Sequence, residues 1–451
     1  AGERLDLHCA AVDAFGNRDE SFTGVVTLKT SSKDKLAPSR IVFKASDRGS
    51  VRIAGGRLTT LGWQTLHAEC GALRSPPLPL LVSAKKPDQR IYFGEMHGHT
   101  LDCDATFPAW VHYEYARRTA GLDFAACASH AEYFGCKAAW DRYLDAAAEA
   151  SAPGKFVTFF GYEWAGEGHI NAYFMERNQA VNFYGKRILK GRHPADNPPF
   201  RAPVNLERSF LAEVRRLGAP ALCIAHFHAR YVDPVDHETL RLHEVYSMHQ
   251  QNPLDAKFQD VLARGARVGA VCGSDSHRLP IGSLCPDPDS LWLQPTRIDG
   301  KPCSVSIQKK AGIQATFAPR LDRPSIWQGM WQRATYGTTG ARMVLLLSLD
   351  GVGMGQEVTL EPGRRPRVAA RIGCQAPIEE VELFRFSQGA WAVAKRWRRL
   401  NALTADLTFT DRPLTGDAIY YLRVRQAGNE RGWTSPIWVS VGDVRDKGRS
   451  S

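Results

Sequence analysis

Residues 1 to 88 alternate apolar and polar positions in short runs, as in Leu5-Asp6-Leu7-His8-Cys9-Ala10 and Gly24-Val25-Val26-Thr27-Leu28-Lys29. Alternate residues of an extended chain share a face, and Gly, Asn, Asp and Pro punctuate the runs, so a small Ig-like β-sandwich is predicted. His8 and His67 are expected at its surface or edges. Lys85-Lys86-Pro87-Asp88 reads as a linker out of it. From Ile91 the pattern becomes short apolar runs separated by amphipathic segments, the mark of βα units around a parallel sheet or barrel. Strands are predicted at 91–96, 124–129, 156–162, 170–175, 221–225, 242–247 and 268–273, and helices at 108–119, 138–150, 205–216 and 254–264. A further strand near 313–316 and a helix from Ser325 to Arg333 follow. Alternation then returns from Met343 to Val441, predicting a second sandwich with Trp391, Trp433 and Trp438 in its core. The expected division is therefore 1–88, 89–340 and 341–451.

At 451 residues the chain exceeds one ordinary core, which agrees with several domains. No apolar run reaches the ~18 to 20 residues that span a bilayer. The ten cysteines lack any CxxC pair, against a zinc ribbon or a dense disulfide framework. Cys127, Cys223 and Cys272 read as small buried hydrophobes, and Cys285 with Cys303 as a pair whose geometry is open. Such usage favours the cytoplasm; a signal removed before Ala1 would allow the periplasm instead. The net charge of +11 favours anionic partners. Its clusters at Arg364-Arg365-Pro366-Arg367 and Lys395-Arg396-Trp397-Arg398-Arg399 read as solvated hairpin faces, and without a recognition motif nucleic acid is not the expected partner. A small anionic substrate is. The basic stretch 186–203 reads equally as a loop over the site or as an ordinary exposed loop.

Composition changes the picture most through histidine: twelve of the fourteen lie between His97 and His277. His97-Gly98-His99 follows the first of the βα strands, and alternation points both imidazoles the same way, so two ligands reach one ion. Asp104 follows five residues on. His130 comes after the second strand, Glu163 after the third, and His169, His226 with its competitor His228, and Asp275-Ser276-His277 complete the set. All fall at or just past predicted strand ends, where a barrel carries its active site. His112, His193, His237 and His249 are expected at the surface. His243, next to Glu244, is placed beside the ligands, and Glu132 is a candidate general acid or base, or a partner for an imidazole.

In these motifs the chain resembles the polymerase and histidinol phosphatase (PHP) superfamily. More narrowly it resembles an uncharacterised PHP-like family with flanking sandwiches (DUF3604-like), through Gly94-Glu95-Met96-His97-Gly98-His99, Gly161-Tyr162-Glu163-Trp164 and Tyr336-Gly337-Thr338-Thr339-Gly340-Ala341-Arg342. The resemblance implies an α/β fold, a distorted (β/α)7 PHP-type barrel flanked by N-terminal and C-terminal β-sandwich domains. It further implies that His97, His99, Glu163 and Asp275 hold a first ion. Glu163 would bridge to a second held by His169 and His226, and Asp104, His130 and His277 would hold a third.

Two or three divalent ions, Zn, Mn or Fe, suit mixed imidazole and carboxylate ligands. Close metal ions acidify water and clamp phosphoryl oxygens, so the expected activity is hydrolysis, with a phosphoester as substrate. Glu163, Asp275 and Glu132 carry the catalytic expectation, and Arg230 and Arg278 the substrate contacts. Tyr162, Trp164 and Tyr231 read as an apolar pocket side or as core, and Arg342 as a domain-junction residue. The alternatives are an amidohydrolase-type hydrolase of amides, lactones or esters, and an inactive barrel that serves as a binding module. Oligomeric state is open.

Overall fold

The computed structural model describes residues 1–34, 36–130, 133–134, 137–165, 169–180, 211, 215, 220–226, 239–248, 255–284, 297–298, 301–302 and 310–442. It is a mixed α/β structure in which strands prevail. Near the N-terminus, Arg4–Ala10 pairs antiparallel with Ser50–Arg57, while Gly24–Thr30 lies between Arg40–Phe43 and Gly62–Cys70. The inward positions of both sheets, among them Leu5, Leu7, Val26, Leu28, Ile41, Phe43 and Leu66, pack into one small core. His8 lies half-buried in a strand of the two-stranded sheet, an edge position as expected. Its Nε2 lies 3.0 Å from Ser50 Oγ and 3.1 Å from the Arg118 carbonyl, so it is wedged between this sheet and a helix of the central region.

The central region is built from β1 (Arg90–Glu95), β2 (Phe124–Ala125), β3 (Val157–Thr158), β4 (Phe160–Ala165), β5 (His169–Phe174), β6 (Ala221–Ala225), β7 (Leu240–Ser247) and β8 (Gly269–Gly273). Two more strands follow, β9 (Ile313–Ala318) and β10 (Thr335–Thr338). Helices α1 (Ala109–Arg118), α2 (Lys137–Ala150), α3 (Asp255–Ala263) and α4 (Arg323–Trp331) accompany them. Asp322 caps α4, accepting the Ser325 N–H at 2.8 Å, as a residue before a helix with proline in its first turn does. The remainder of the helix expected over 205–216 falls outside the described residues.

Strands β3, β2 and β1 run parallel, β9 is antiparallel to β1, and β10 is antiparallel to β9. A second sheet has the order β4-β5-β6-β7-β8, antiparallel at its first two junctions and parallel at the last two. A regular (β/α)7 barrel is therefore not shown. The two sheets instead meet through parallel bridges between Gly98 and Ser276 and between His130 and Glu163.

The boundary expected at residue 340 falls inside a sheet. Strand β10 pairs with Arg431–Thr434, which pairs with Ala418–Gln426, so one eleven-stranded sheet runs from β3 into the C-terminal strands. A four-stranded sheet packs on it around Leu345, Leu347, Val368, Ile372, Val381 and Leu422. The tryptophans are not in that core. Trp391 donates to the Gln259 carbonyl at 2.9 Å and Trp433 to Asp255 Oδ1 at 2.9 Å, both on α3, and Trp438 packs in the same central cluster. Alternation distinguishes the two faces of a strand, but it does not say which neighbour each face meets. Both arginine clusters are exposed, as expected. Among the described residues no helix is long and apolar enough to cross a membrane.

Candidate metal centre

The ligand candidates sit where the two sheets meet. Beyond β1 the backbone continues in extended form: His99 N donates to the Ser276 carbonyl at 2.8 Å, and Asp275 N to the His97 carbonyl at 2.8 Å. Glu163 N donates to the Ser129 carbonyl at 3.0 Å, which sets His130 beside it. Within β4 alternation sends Glu163 to one face and Tyr162 and Trp164 to the other, where both are buried in the apolar core rather than lining a pocket. His169 opens β5, whose first residue pairs with Ala165, and His226 directly follows β6.

Nine side chains converge here as three groups. In the first, His97 Nε2 lies 3.1 Å from Glu163 Oε2 and 3.3 Å from Asp275 Oδ1, and His99 Nε2 lies 3.0 Å and 3.1 Å from the same oxygens. Ligands ~2.1 Å from one ion stand about 3.0 Å apart in octahedral and about 3.4 Å apart in tetrahedral geometry, so this spacing fits a single cation. In the second, the other oxygen of Glu163 faces His169 Nδ1 and lies 3.2 Å from His226 Nε2. The third is looser: Asp104 is 3.8 Å from His130 Nε2, 3.5 Å from His277 Nε2 and 3.7 Å from His99 Nδ1. In each group the donor atoms lie within 4.8 Å of one another. A neutral imidazole has one lone pair, so His99, turned by Nε2 into the first group, presents its other nitrogen to Asp104 as a donor.

Charge and burial agree with this division. Glu163, His97 and His99 are at most 1% exposed. Burial works against ionisation of Glu163 and Asp275, but the surrounding imidazoles outweigh it and hold both well below the usual carboxylate range. Burial likewise opposes charge on His97 and His99, and their carboxylate neighbours reverse it, raising both. Burial brings His130 down to about 4, leaving it neutral. Meanwhile His130 Nδ1 and His226 Nδ1 are buried without a hydrogen-bond partner among the described residues. Ionised carboxylates crowded against imidazoles, with buried ring nitrogens left unsatisfied, form an arrangement that cations complete.

Two acids beside the cluster were not singled out from the sequence as site residues. Glu244 Oε2 lies 3.0 Å from His97 Nδ1. Glu95, fully buried beneath the site, accepts from the Ser274 N–H at 2.9 Å and from its hydroxyl, and burial pushes its carboxyl up to about 8. His243 lies 5.7 Å from the Phe258 ring of α3, and burial together with the nearby His226 brings it down to about 3. His112 is buried rather than exposed, because it lies on the inward face of α1 and accepts the Ile281 N–H at 3.2 Å. Arg278 is exposed beside His277. Arg342 donates to the Ala120 carbonyl at 2.7 Å and covers the Phe93 ring, away from the ligands. Glu132, Arg230, His193, His228, Tyr231, His237, His249, Cys285, Cys303 and the basic stretch 186–203 lie outside the described residues. A cavity of about 590 Å³ lined by Arg241, Phe317, Arg333 and Glu357 opens at the opposite strand ends and shares no residue with the cluster.

Comparison with known proteins adds a partial family match. The profile of a family described as "Protein of unknown function (DUF3604)" matches residues 127–227, the stretch that holds His130, Glu163, His169 and His226. An uncharacterised protein of Chlamydia pneumoniae is 20% identical over 370 residues, covering 78% of this chain and 57% of that protein. One from Chlamydia muridarum is 26% identical over 206 residues, covering 43% and 30%. The chain thus spans little more than half of the first relative and less of the second. Among solved structures, a two-domain protein from Bacteroides vulgatus containing a predicted PHP-like metal-dependent phosphoesterase aligns at 12% identity, covering 78% of this chain and 96% of that one, with a TM-score of 0.36. A likeness of that size carries no functional argument, which rests on the side chains.

Proposed function

We propose that the protein is a metal-dependent phosphoesterase of PHP type. In this reading β1, β2 and β4 to β8 form a distorted seven-stranded barrel whose ligands hold two or three divalent ions. The observation that carries it is the division of Glu163, one oxygen facing His97 and His99 and the other facing His169 and His226. A shared carboxylate is how a protein keeps two cations close together. When bound, such ions acidify water and draw charge from phosphoryl oxygens.

The chain's own groups support water as the nucleophile. Ser129 and Thr100 hydroxyls are hydrogen-bonded to each other at 2.8 Å, and the Ser274 hydroxyl is engaged by Glu95. The Cys103 thiol, 2.7 Å from Asp104, is pushed up to about 12 by burial and is no thiolate at neutral pH. Glu163 supplies the bridging position that a modified lysine fills in the amidohydrolase alternative. Arg278 is proposed to meet a small anionic substrate at the rim, with Arg230 and Glu132 retained as proposals.

Metal content by mass spectrometry, on protein purified without chelator, tests the reading together with turnover of an aryl phosphate. Asp275 has φ 52°, a left-handed conformation that Asp and Asn tolerate better than other side chains, so Asp275→Asn removes charge while sparing the backbone. Two or more ions per chain are expected, with at least one ion and the activity lost in His99→Ala and Asp275→Asn. Bound ions without phosphatase turnover would move the substrate to amides and lactones, and protein without metal would end the catalytic reading.

A further inference from the structure

We propose that Glu244 is a positioning residue for the first cation. It accepts the Nδ1–H of His97 and so turns the lone pair of His97 Nε2 toward Glu163 and Asp275. This rests on the reading of that group as a metal site. Strand β7 lies between β6 and β8, and its alternation sends His243 toward α3 and Glu244 into the space behind the cluster. The carboxylate is 3% exposed, its Oε2 lies 3.0 Å from His97 Nδ1, and its Oε1 has no hydrogen-bond partner among the described residues. One hydrogen bond does not compensate the burial of a charge. A cation on the far nitrogen of the same imidazole does, because the ring transmits its polarisation to the N–H that Glu244 accepts.

The neighbouring strand is shaped around this pair. A Cβ added at Gly273 of β8 would lie 2.5 Å from Glu244 Oε2 and 2.9 Å from His97 Cβ. Any side chain there would push the carboxylate off the imidazole, so glycine keeps the contact open. The pairing also determines the tautomer: with Nδ1 as donor, Nε2 is the only lone pair His97 has to offer. Other remote ring nitrogens of the cluster lie farther from buried carboxylates, His130 Nδ1 3.9 Å from Glu163 and His277 Nδ1 4.0 Å from Asp275, beyond hydrogen-bond reach.

The test uses the full chain with Mn²⁺ or Zn²⁺ alone as probe, titrated against a fluorescent chelator, alongside melting midpoints in EDTA. Glu244→Ala is expected to weaken one ion by about 10- to 100-fold and leave the others unchanged. Glu244→Gln keeps an acceptor of nearly the same shape and is expected to lose less. If Glu244→Ala does not fold, Glu244→Gln decides, its affinity for one ion falling measurably below that of wild type. Unchanged affinities with a lowered midpoint in EDTA would make Glu244 a structural residue and overturn the proposal. A wild type that binds neither ion would instead overturn the metal-site reading on which it stands.

Discussion

His8 shows how one side chain ties regions that the sequence separates. Its Nε2 faces the Arg118 carbonyl, an acceptor only, so the proton sits on Nε2 and Nδ1 is bare. Burial, reinforced by nearby Arg52, lowers the ring from 6.5 to about 4. A group held neutral in the folded state contributes stability above its unfolded pKa and loses it as the pH falls through 6.5 toward 4. Allowing for partial exposure, the loss is about 1–2 kcal/mol. Urea unfolding in EDTA at pH 7 and pH 4.5 measures it: His8→Gln should lose that much less than wild type between the two, and equal losses would refute the assignment. Single residues were also the scale at which the sequence was least legible. HxH and DxH announce themselves by spacing, whereas Glu244 and Glu95 are lone acids in apolar strands with no spacing to mark them. His112 was expected at the surface because a single histidine carries no sign of the N–H it accepts from Ile281, 169 residues away.

At the scale of elements, strand β10 crosses β8 so closely that side chains are excluded. A Cβ at Gly337 would lie 2.6 Å from the backbone of both Val271 and Cys272, and backbone cannot give way as a flexible side chain does. The phrase Tyr336 to Arg342 is thus explained by packing. Gly337 admits the crossing, Gly340 turns the chain at φ 113°, and Thr338 bonds the Ala341 carbonyl at 2.7 Å. Gly337→Ala is expected to cost about 1–3 kcal/mol in chemical unfolding, the range for overpacked interiors. Gly416→Ala, with nothing within 4 Å, serves as the near-neutral comparison. A Gly337→Ala variant as stable as the comparison would mean that the strands can separate. Most central strands and helices were legible within a few residues, because their apolar runs are long and punctuated. Their order and direction were not, since pairing at β4, β5 and β6 depends on partners that no local pattern names.

For the molecule as a whole, the decisive feature is the eleven-stranded sheet. Ending the chain at residue 340 would leave β10 without Arg431–Thr434 and would strip Trp391 and Trp433 from α3. An exposed apolar edge of that kind invites aggregation. Residues 89–340 produced alone are therefore expected to be insoluble or to lack a cooperative melt, whereas the full chain melts cooperatively. A soluble fragment with a cooperative transition and bound metal would show that the C-terminal strands are dispensable. The three-part division expected from the sequence describes where patterns change; whether each part folds alone is what this measurement reads.

The same continuity bears on descent. β1, which delivers His97 and His99, is hydrogen-bonded to β9, β9 to β10, and β10 to a strand some ninety residues further along the chain. A gene encoding such a protein cannot trade the codons for residues 341–442 as a cassette. Recombination near codon 340 would unmake the ladder that aims the imidazoles, so lineages that keep the ligands are expected to inherit the C-terminal strands with them.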